Sequence, residues 1–306
     1  LKFMGIKVIN PGLQTTVQDS GRQLSGHLGV SSCGAADKHS LKLANLIVQN
    51  MPTEAALEMT LLGGTYKFQE SADICLSGSC FLAMINNETL PFNKKIHIKK
   101  GEIIKIGETR DGARCYLAVR GGIHINHFFG SASTHLTTRT GGLNGRPLKK
   151  GDLLNIGKSK KNLRKSINLD LKYSTKRSVL KITEGLQKNW FSDLDWITLL
   201  NSSYEVSNKY SRMGIILDGP SIIGNSNKEM ITEGIALGAI QIPGNGKPII
   251  SFVDHQTTGG YPVIANVISI DVCKVGQLKQ GDFFQFELVD IKVAEKMRIK
   301  QSKTYE

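Results

Sequence analysis

The chain has 306 residues, of which 40% are hydrophobic, 7% aromatic and 21% charged. That composition is globular, long enough for a sizeable core, and suggests about two domains. Its net charge of +13 invites a nucleic-acid partner, but most of the excess lies in two segments, 158–177 and 292–306. These read as a solvated linker and tail with no interleaved stacking aromatics, so no nucleic acid is expected.

In chain order, the first residues hold no long apolar run, so no secretory signal is expected, and Leu1 reads as a non-native start with Met4 a possible initiator. Period-two alternation predicts strands at Ile6–Asn10, Asp73–Ser77, Phe81–Asn86, Ile103–Ile106, Arg114–Val119, Val179–Thr183, Ala239–Ile242, Ile249–Phe252, Val263–Ile270 and Phe283–Leu288. Asn86-Asn87 signals a hairpin turn, because asparagine tolerates positive φ. Two helices are predicted. One spans Ala35–Gln49, with Asp37 and Asn45 as capping and packing residues. The other spans Ser192–Leu200, with Ser192 as N-cap and Asp193 and Asp195 in its first turn.

Three segments share one pattern: Ile98-Lys-Lys-Gly-Glu, Leu148-Lys-Lys-Gly-Asp and Leu278-Lys-Gln-Gly-Asp, each followed by a strand. Each predicts a tight turn with positive φ at Gly101, Gly151 or Gly281. The whole reads as mainly β, two barrels or sandwiches with one or two helices. Residues 1–165 form a β-rich domain, 166–177 a basic linker, 178–290 a second β-domain and 291–306 a charged tail.

Five cysteines, Cys33, Cys75, Cys80, Cys115 and Cys273, include no C-x-x-C pair. With no apolar run near the ~18 residues of a membrane span, the expectation is a cytoplasmic protein without a membrane anchor. Gly-x-x-x-x-Gly-Lys-Ser/Thr, Gly-x-Ser-x-Gly, His-Glu-x-x-His and Gly-x-Gly-x-x-Gly are all absent. His124, His127 and His135 match no zinc spacing, so they read as surface or loop residues and no metal site is expected.

The polar and glycine-rich strings are more informative. Gln18-Asp19-Ser-Gly-Arg22 is either a turn closed by its Asp–Arg pair or a pocket in which Arg22 grips a carboxylate or carbonate. Gly130-Ser131-Ala-Ser133-Thr134 is an anion nest of exposed N–H groups or a plain loop, and Arg120 before Gly121-Gly122 reads the same way. Arg212 and Glu233 are candidates for substrate contacts or for a cross-strand ion pair. Gly238 to Gly244 brings Gln241. Densest is Asp254-His255-Gln256-Thr257-Thr258-Gly-Gly-Tyr261-Pro262, which carries more directional donors and acceptors than a turn requires. There Asp254 or His255 would serve as acid–base or orienting groups, with Gln256, Thr257, Thr258 and Tyr261 as binders.

These strings, in this order and spacing from about Asn10 to Phe286, resemble the KipA, or allophanate hydrolase subunit 2-like, family. Its bacterial members include the C-type component of 5-oxoprolinase, and the same module occurs in the carboxyltransferase domain of urea carboxylase. The resemblance implies two cyclophilin-like β-barrel domains. It implies a C-type component that helps open 5-oxoproline to glutamate, assembled with B-type (KipI-like) and A-type (LamB/YcsF-like) subunits. ATP would be bound mainly by a partner. Two alternatives follow from the same resemblance. One is a biotin-dependent carboxyltransferase acting on urea or a related amide, with biotin carried by a partner. The other is a non-catalytic regulator that binds the B-type homologue. The chain departs from the family pattern at Ala132 and Ile216, where arginine is usual, and at Thr232, where serine is common.

Overall fold

The computed structural model describes residues 5–158, 178–224 and 230–303. The chain divides into two units, Leu1–Gln23 with Ser32–Tyr173, and Leu24–Ser31 with Ser174–Glu306. The basic segment expected at 166–177 lies outside the described residues.

The first unit has three layers. A seven-stranded antiparallel sheet runs Ile123–His124, Leu153–Ile156, Ile6–Asn10, Thr65–Phe68, Ile103–Thr109, Phe81–Ile85, Glu88–Thr89 in spatial order. It faces a five-stranded sheet ordered Gln14–Gln18, Ala56–Thr60, Arg114–Val119, Ala72–Gly78, Ile96–Ile98. Between them lies an apolar core that includes Val8, Leu57, Phe68, Leu76, Ile104, Leu117 and Leu154. Helix α1 (Lys38–Ile47) covers the outer face of the smaller sheet. This explains why Arg114–Val119 is buried at every residue. Cys115, Leu117 and Val119 face the other sheet, while Tyr116 and Ala118 pack with Leu41 and Ala44 of α1.

Polar contacts fix where α1 begins. Asp37 is its N-cap, its carboxylate accepting from Ser40 N at 3.0 Å and Ser40 Oγ at 2.6 Å. Asp37 N donates to the Tyr116 hydroxyl (2.8 Å), which donates to Glu58 (2.6 Å), and Glu58 also accepts from Ala36 N at 2.8 Å. Arg114 Nε lies 3.6 Å from the same carboxylate. Burial and the Glu58 charge push the Tyr116 phenol well above its ordinary range, so it stays protonated and can donate.

The repeated pattern is a structural repeat. Gly101, Gly151 and Gly281 have φ of 91°, 92° and 82°, and each is the third residue of a turn closed at 3.1 Å, Glu102 N to Lys99 O, Asp152 N to Lys149 O and Asp282 N to Lys279 O. The acid reaches back to the amide of the first turn residue at 2.8, 2.7 and 3.1 Å. Asn86 and Asn87, with φ of 50° and 66°, close the Phe81–Ile85/Glu88–Thr89 hairpin as expected.

In the second unit seven strands close a barrel: Val179–Glu184, Val263–Val267, Ala239–Gln241, Ile249–Ser251, Gly214–Asp218, Tyr204–Val206 and Phe283–Leu288, the last pairing in parallel with the first. Helix α2 (Asp193–Asn201) starts with the capping box that Ser192 and Asp195 predict. Two further helices go beyond the one or two expected, α3 (Val272–Val275) and α4 (Ile291–Lys303). The first is a single turn. The second buries only Ala294, so the segment read as a charged tail shows no apolar stripe to betray its helix. Among the described residues no helix is long and apolar enough to cross a membrane.

Replacing Tyr116 by Phe should lower unfolding stability by about 1–3 kcal/mol in denaturant melts, because buried Glu58 and Asp37 N each lose a partner. An unchanged midpoint would remove this tie from the fold. Bidentate hydrogen bonds from Arg146 at 2.7 and 2.8 Å hold the Asp152 carboxyl below its ordinary value of 3.8. Its folded pKa is depressed, so the pair's stabilisation is present above 3.8 and lost as pH falls through the folded value. The stability gap between the wild-type chain and Asp152→Asn should therefore be widest near neutral pH and close in acid. A gap that does not change with pH would contradict this.

Candidate functional site

In the first unit the polar cluster is built around Asp19. The strand Gln14–Gln18 ends one residue before it. The buried Asp19 carboxylate accepts from Gly21 N (2.8 Å), Ser131 Oγ (2.6 Å), Ala132 N (2.7 Å) and Ser133 Oγ (2.5 Å). Ser133 Oγ in turn accepts from Asp19 N at 3.0 Å, and Ser131 Oγ from Ser133 N at 3.0 Å. The segment expected as an anion nest is thus a nest already filled by the protein's own carboxylate. Ala132, at a family arginine position, contributes its N–H to Asp19 while its methyl joins the apolar core.

Arg22 reaches the main chain of the same segment. Its Nη2 donates to Ser133 O at 2.7 Å and its Nε to Phe128 O at 3.1 Å, with the guanidinium 5.2 Å from the centre of the Phe128 ring. No Asp19–Arg22 ion pair is among the described contacts, because Asp19 takes hydroxyl and amide donors and Arg22 takes carbonyls. Thr134 is held to the neighbouring strand, both its amide and its hydroxyl donating to Val17 O at 3.0 Å. Gly142 must be glycine: a Cβ there would lie 1.8 Å from Thr134 Oγ1. Arg120 stands apart, its side chain 3.6 Å from Asp73, which also holds His97 at 2.9 Å.

Beside the Asp19 cluster opens a cavity of about 830 Å³, with Asp19, Gly21, Glu54, His124, His127 and Phe129 among its lining residues. Two asparagines brace residues of its lining. Asn45 Nδ2 donates to Glu54 O at 2.8 Å, and Asn50 accepts from Gly121 N at 2.8 Å. His124 and His127 are exposed, as the sequence suggests, but they face this cavity. The sequence reasoning missed Glu54 and Phe129, since neither belongs to a motif.

In the second unit, register brings Arg212 to Asp254. Gly214 pairs with Ser251, and beyond them Asp254 N donates to Arg212 O at 2.8 Å. The side chains close a buried bidentate pair, Nε to Oδ2 at 2.8 Å and Nη2 to Oδ1 at 3.0 Å. The expected cross-strand partner, Glu233, instead accepts from Gln187 Nε2 at 3.1 Å. His255 is buried and its Nδ1 donates to Gln256 O at 2.7 Å. A carbonyl can only accept, so the ring proton sits on Nδ1 and Nε2 presents its lone pair.

A short ribbon pairs Glu233–Gly234 with Thr258–Gly259. A Cβ on Gly259 would meet Gln256 Nε2 at 2.8 Å and Gln241 Nε2 at 3.0 Å, so two amide groups flank one point of the ribbon. Gln241 Oε1 accepts from Ser251 Oγ at 3.3 Å. Gln256, Thr258 and Tyr261 are exposed, and Thr257 is half-buried.

Residues 28–288 match the carboxyltransferase domain family, subdomain A and B. The chain is 34% identical over 301 residues to the C-type component of the Escherichia coli 5-oxoprolinase, covering 98% of this chain and 96% of that protein. It is 31% identical to the urea amidolyase of Lachancea kluyveri, covering 100% of this chain but 18% of the relative. The crystal structure of the K. lactis urea amidolyase matches with a TM-score of 0.94 at 29% identity, covering 100% of this chain and 20% of that one.

Asp254→Ala would leave the Arg212 guanidinium buried beside a cavity, at a cost of about 3–5 kcal/mol. The buried pair therefore predicts a lower melting temperature for this variant. A melting temperature equal to the wild type would show that the pair does not hold this loop.

Proposed function

The chain belongs to the carboxyltransferase domain family, subdomains A and B, and from that premise we propose that it is the C-type component of an ATP-dependent 5-oxoprolinase. The observation that carries this reading is the end-to-end correspondence with the E. coli protein, 98% of one chain and 96% of the other. A- and B-type partners complete the assembly, in the cytoplasm. The cysteines form no disulfide, in keeping with a reducing compartment.

His255 is the group best suited to act on the substrate. Its proton is fixed on Nδ1 by the Gln256 carbonyl, so Nε2 is oriented to take a proton from water as that water adds to an amide carbonyl. When the ring C–N bond breaks, the proton held on Nε2 passes to the departing nitrogen, giving an open-chain amine. Gln256, Gln241 and Thr258 supply donors beside it for the oxygen that gains charge. Asp254 serves as a positioning residue, since its buried pair with Arg212 ties the loop to the barrel.

ATP would supply activation by passing its terminal phosphoryl group to the lactam oxygen and leaving as ADP, and water taken up at that carbon would release the group as inorganic phosphate while the ring opens. This chain carries no P-loop, and Asp19 fills the nest-like turn at 130–134, which supports binding of ATP by a partner. Carboxyl transfer, with biotin on a partner, is the second reading, favoured by the match of the whole chain to a segment of urea amidolyase.

Co-purified with its A- and B-type partners, the chain should produce glutamate from 5-oxoproline only when ATP is present, and none when it is omitted. A stable complex that forms no glutamate would overturn the proposal and leave carboxyl transfer leading. Within an active complex, His255→Ala should reduce kcat by about 10²–10⁴-fold with little change in melting temperature. Retained turnover would exclude His255 as the base.

A further inference from the structure

The ribbon of Glu233–Gly234 and Thr258–Gly259 has one face of mixed chemistry. Glu233 stands directly opposite Gly259, and residues opposite each other in an antiparallel pair point to the same face. Ile235, two residues on and bonded across to Thr257 O at 3.0 Å, shares that face. Its Cδ1 accordingly lies nearest the point that a Cβ on Gly259 would occupy. The Gln256 and Gln241 amide nitrogens lie 2.8 and 3.0 Å from the same point. Two N–H donors and a carboxylate therefore share one face, with the Glu233 Cβ about 5 Å from where the donors meet.

Donor and acceptor are each held from behind. Gln241 Oε1 accepts from Ser251 Oγ at 3.3 Å, which leaves Nε2 as the end of the amide near the ribbon. That nitrogen is buried without a hydrogen-bond partner, on a residue only 5% exposed. A buried donor with no acceptor is costly as architecture and points to a ligand. Gln187, itself 7% exposed, uses both ends of its amide. Its Oε1 accepts from Val263 N of the barrel at 3.0 Å, and its Nε2 donates to Glu233 Oε2 at 3.1 Å. The barrel thus sets the carboxylate's place through one side chain. Glu233 is exposed, so its second oxygen can accept from an outside donor.

Donors beside an acceptor on one face read one edge of a ligand. An amide closed into a five-membered ring is cis, so its oxygen and its N–H lie along the same edge. An open-chain secondary amide is trans and puts them on opposite edges. We propose that Glu233, positioned by Gln187, is the specificity-determining acceptor for the N–H of a cis amide whose oxygen meets Gln241 and Gln256. This rests on the 5-oxoprolinase reading, which brings an amide carbonyl to those donors and assigns no partner to its N–H. Gln187 belongs to no sequence motif, and its role follows from its two hydrogen bonds.

The test measures binding by the full-length chain with three probes. These are 5-oxoproline, N-methyl-5-oxoproline, which has no N–H, and N-acetylalanine, an open-chain amide of similar size. The wild-type chain should bind 5-oxoproline about tenfold or more tightly than either analogue. Glu233→Gln keeps an acceptor for Gln187 but loses the carboxylate oxygen that meets the ligand. In that variant 5-oxoproline and N-methyl-5-oxoproline should bind within about threefold of each other, through weaker binding of 5-oxoproline. Its melting temperature should match the wild type, since Glu233 is exposed. Three results would overturn the assignment: no binding of 5-oxoproline by the wild-type chain, either analogue binding as tightly as 5-oxoproline, or an undiminished preference in Glu233→Gln. Glutamate formation by the wild-type complex is measured in parallel. Turnover without a Glu233-dependent preference sinks only this assignment, and the preference without turnover sinks only the oxoprolinase reading.

Discussion

The Asp19 carboxylate is the constraint on which the first unit's polar architecture depends. It accepts from its own turn and from Ser131, Ala132 and Ser133, more than a hundred residues further along the chain. A buried charge is tolerated only when its hydrogen bonds are met, and amide and hydroxyl donors to a carboxylate are among the stronger kinds. This joint seats the 131–135 segment against the strand Gln14–Gln18, and Arg22 then follows onto the carbonyls of that segment. The nest donors are taken internally.

The second unit solves a similar problem differently. Its barrel strands set the register that brings Arg212 opposite Asp254, and the ion pair pins the start of the loop that carries His255, Gln256 and Thr258. The carboxylate anchors the loop, and the next carbonyl sets the tautomer of His255. The chain belongs to the carboxyltransferase domain family and matches a 5-oxoprolinase component end to end.

Much of the fold was legible because local rules and tertiary structure agree. The three Lys-x-Gly-acid turns have the positive φ their glycines predict, Asp37 and Ser192 cap the helices they precede, and the strands around Leu117 and Ile250 carry clear apolar runs. The strand Gln14–Gln18 was hidden because its sequence, Gln-Thr-Thr-Val-Gln, is polar although four of its five residues are buried. Helix α4 was hidden for the opposite reason, having almost nothing to bury. The strings around Asp19 and Asp254 were legible as polar clusters. Their partners were not, because Asp19 with Ser131 and Arg212 with Asp254 depend on long-range register that no local pattern encodes.

The central claim is that Asp19 holds the 131–133 segment in place. Amide hydrogen exchange on Asp19→Asn tests it most directly, because an amide nitrogen would then face donors that a carboxylate accepted. Exchange at Gly21 and Ala132 should accelerate by about tenfold or more, while Leu117 in the sheet interior keeps its wild-type rate. Unchanged protection at Gly21 and Ala132 would contradict the account.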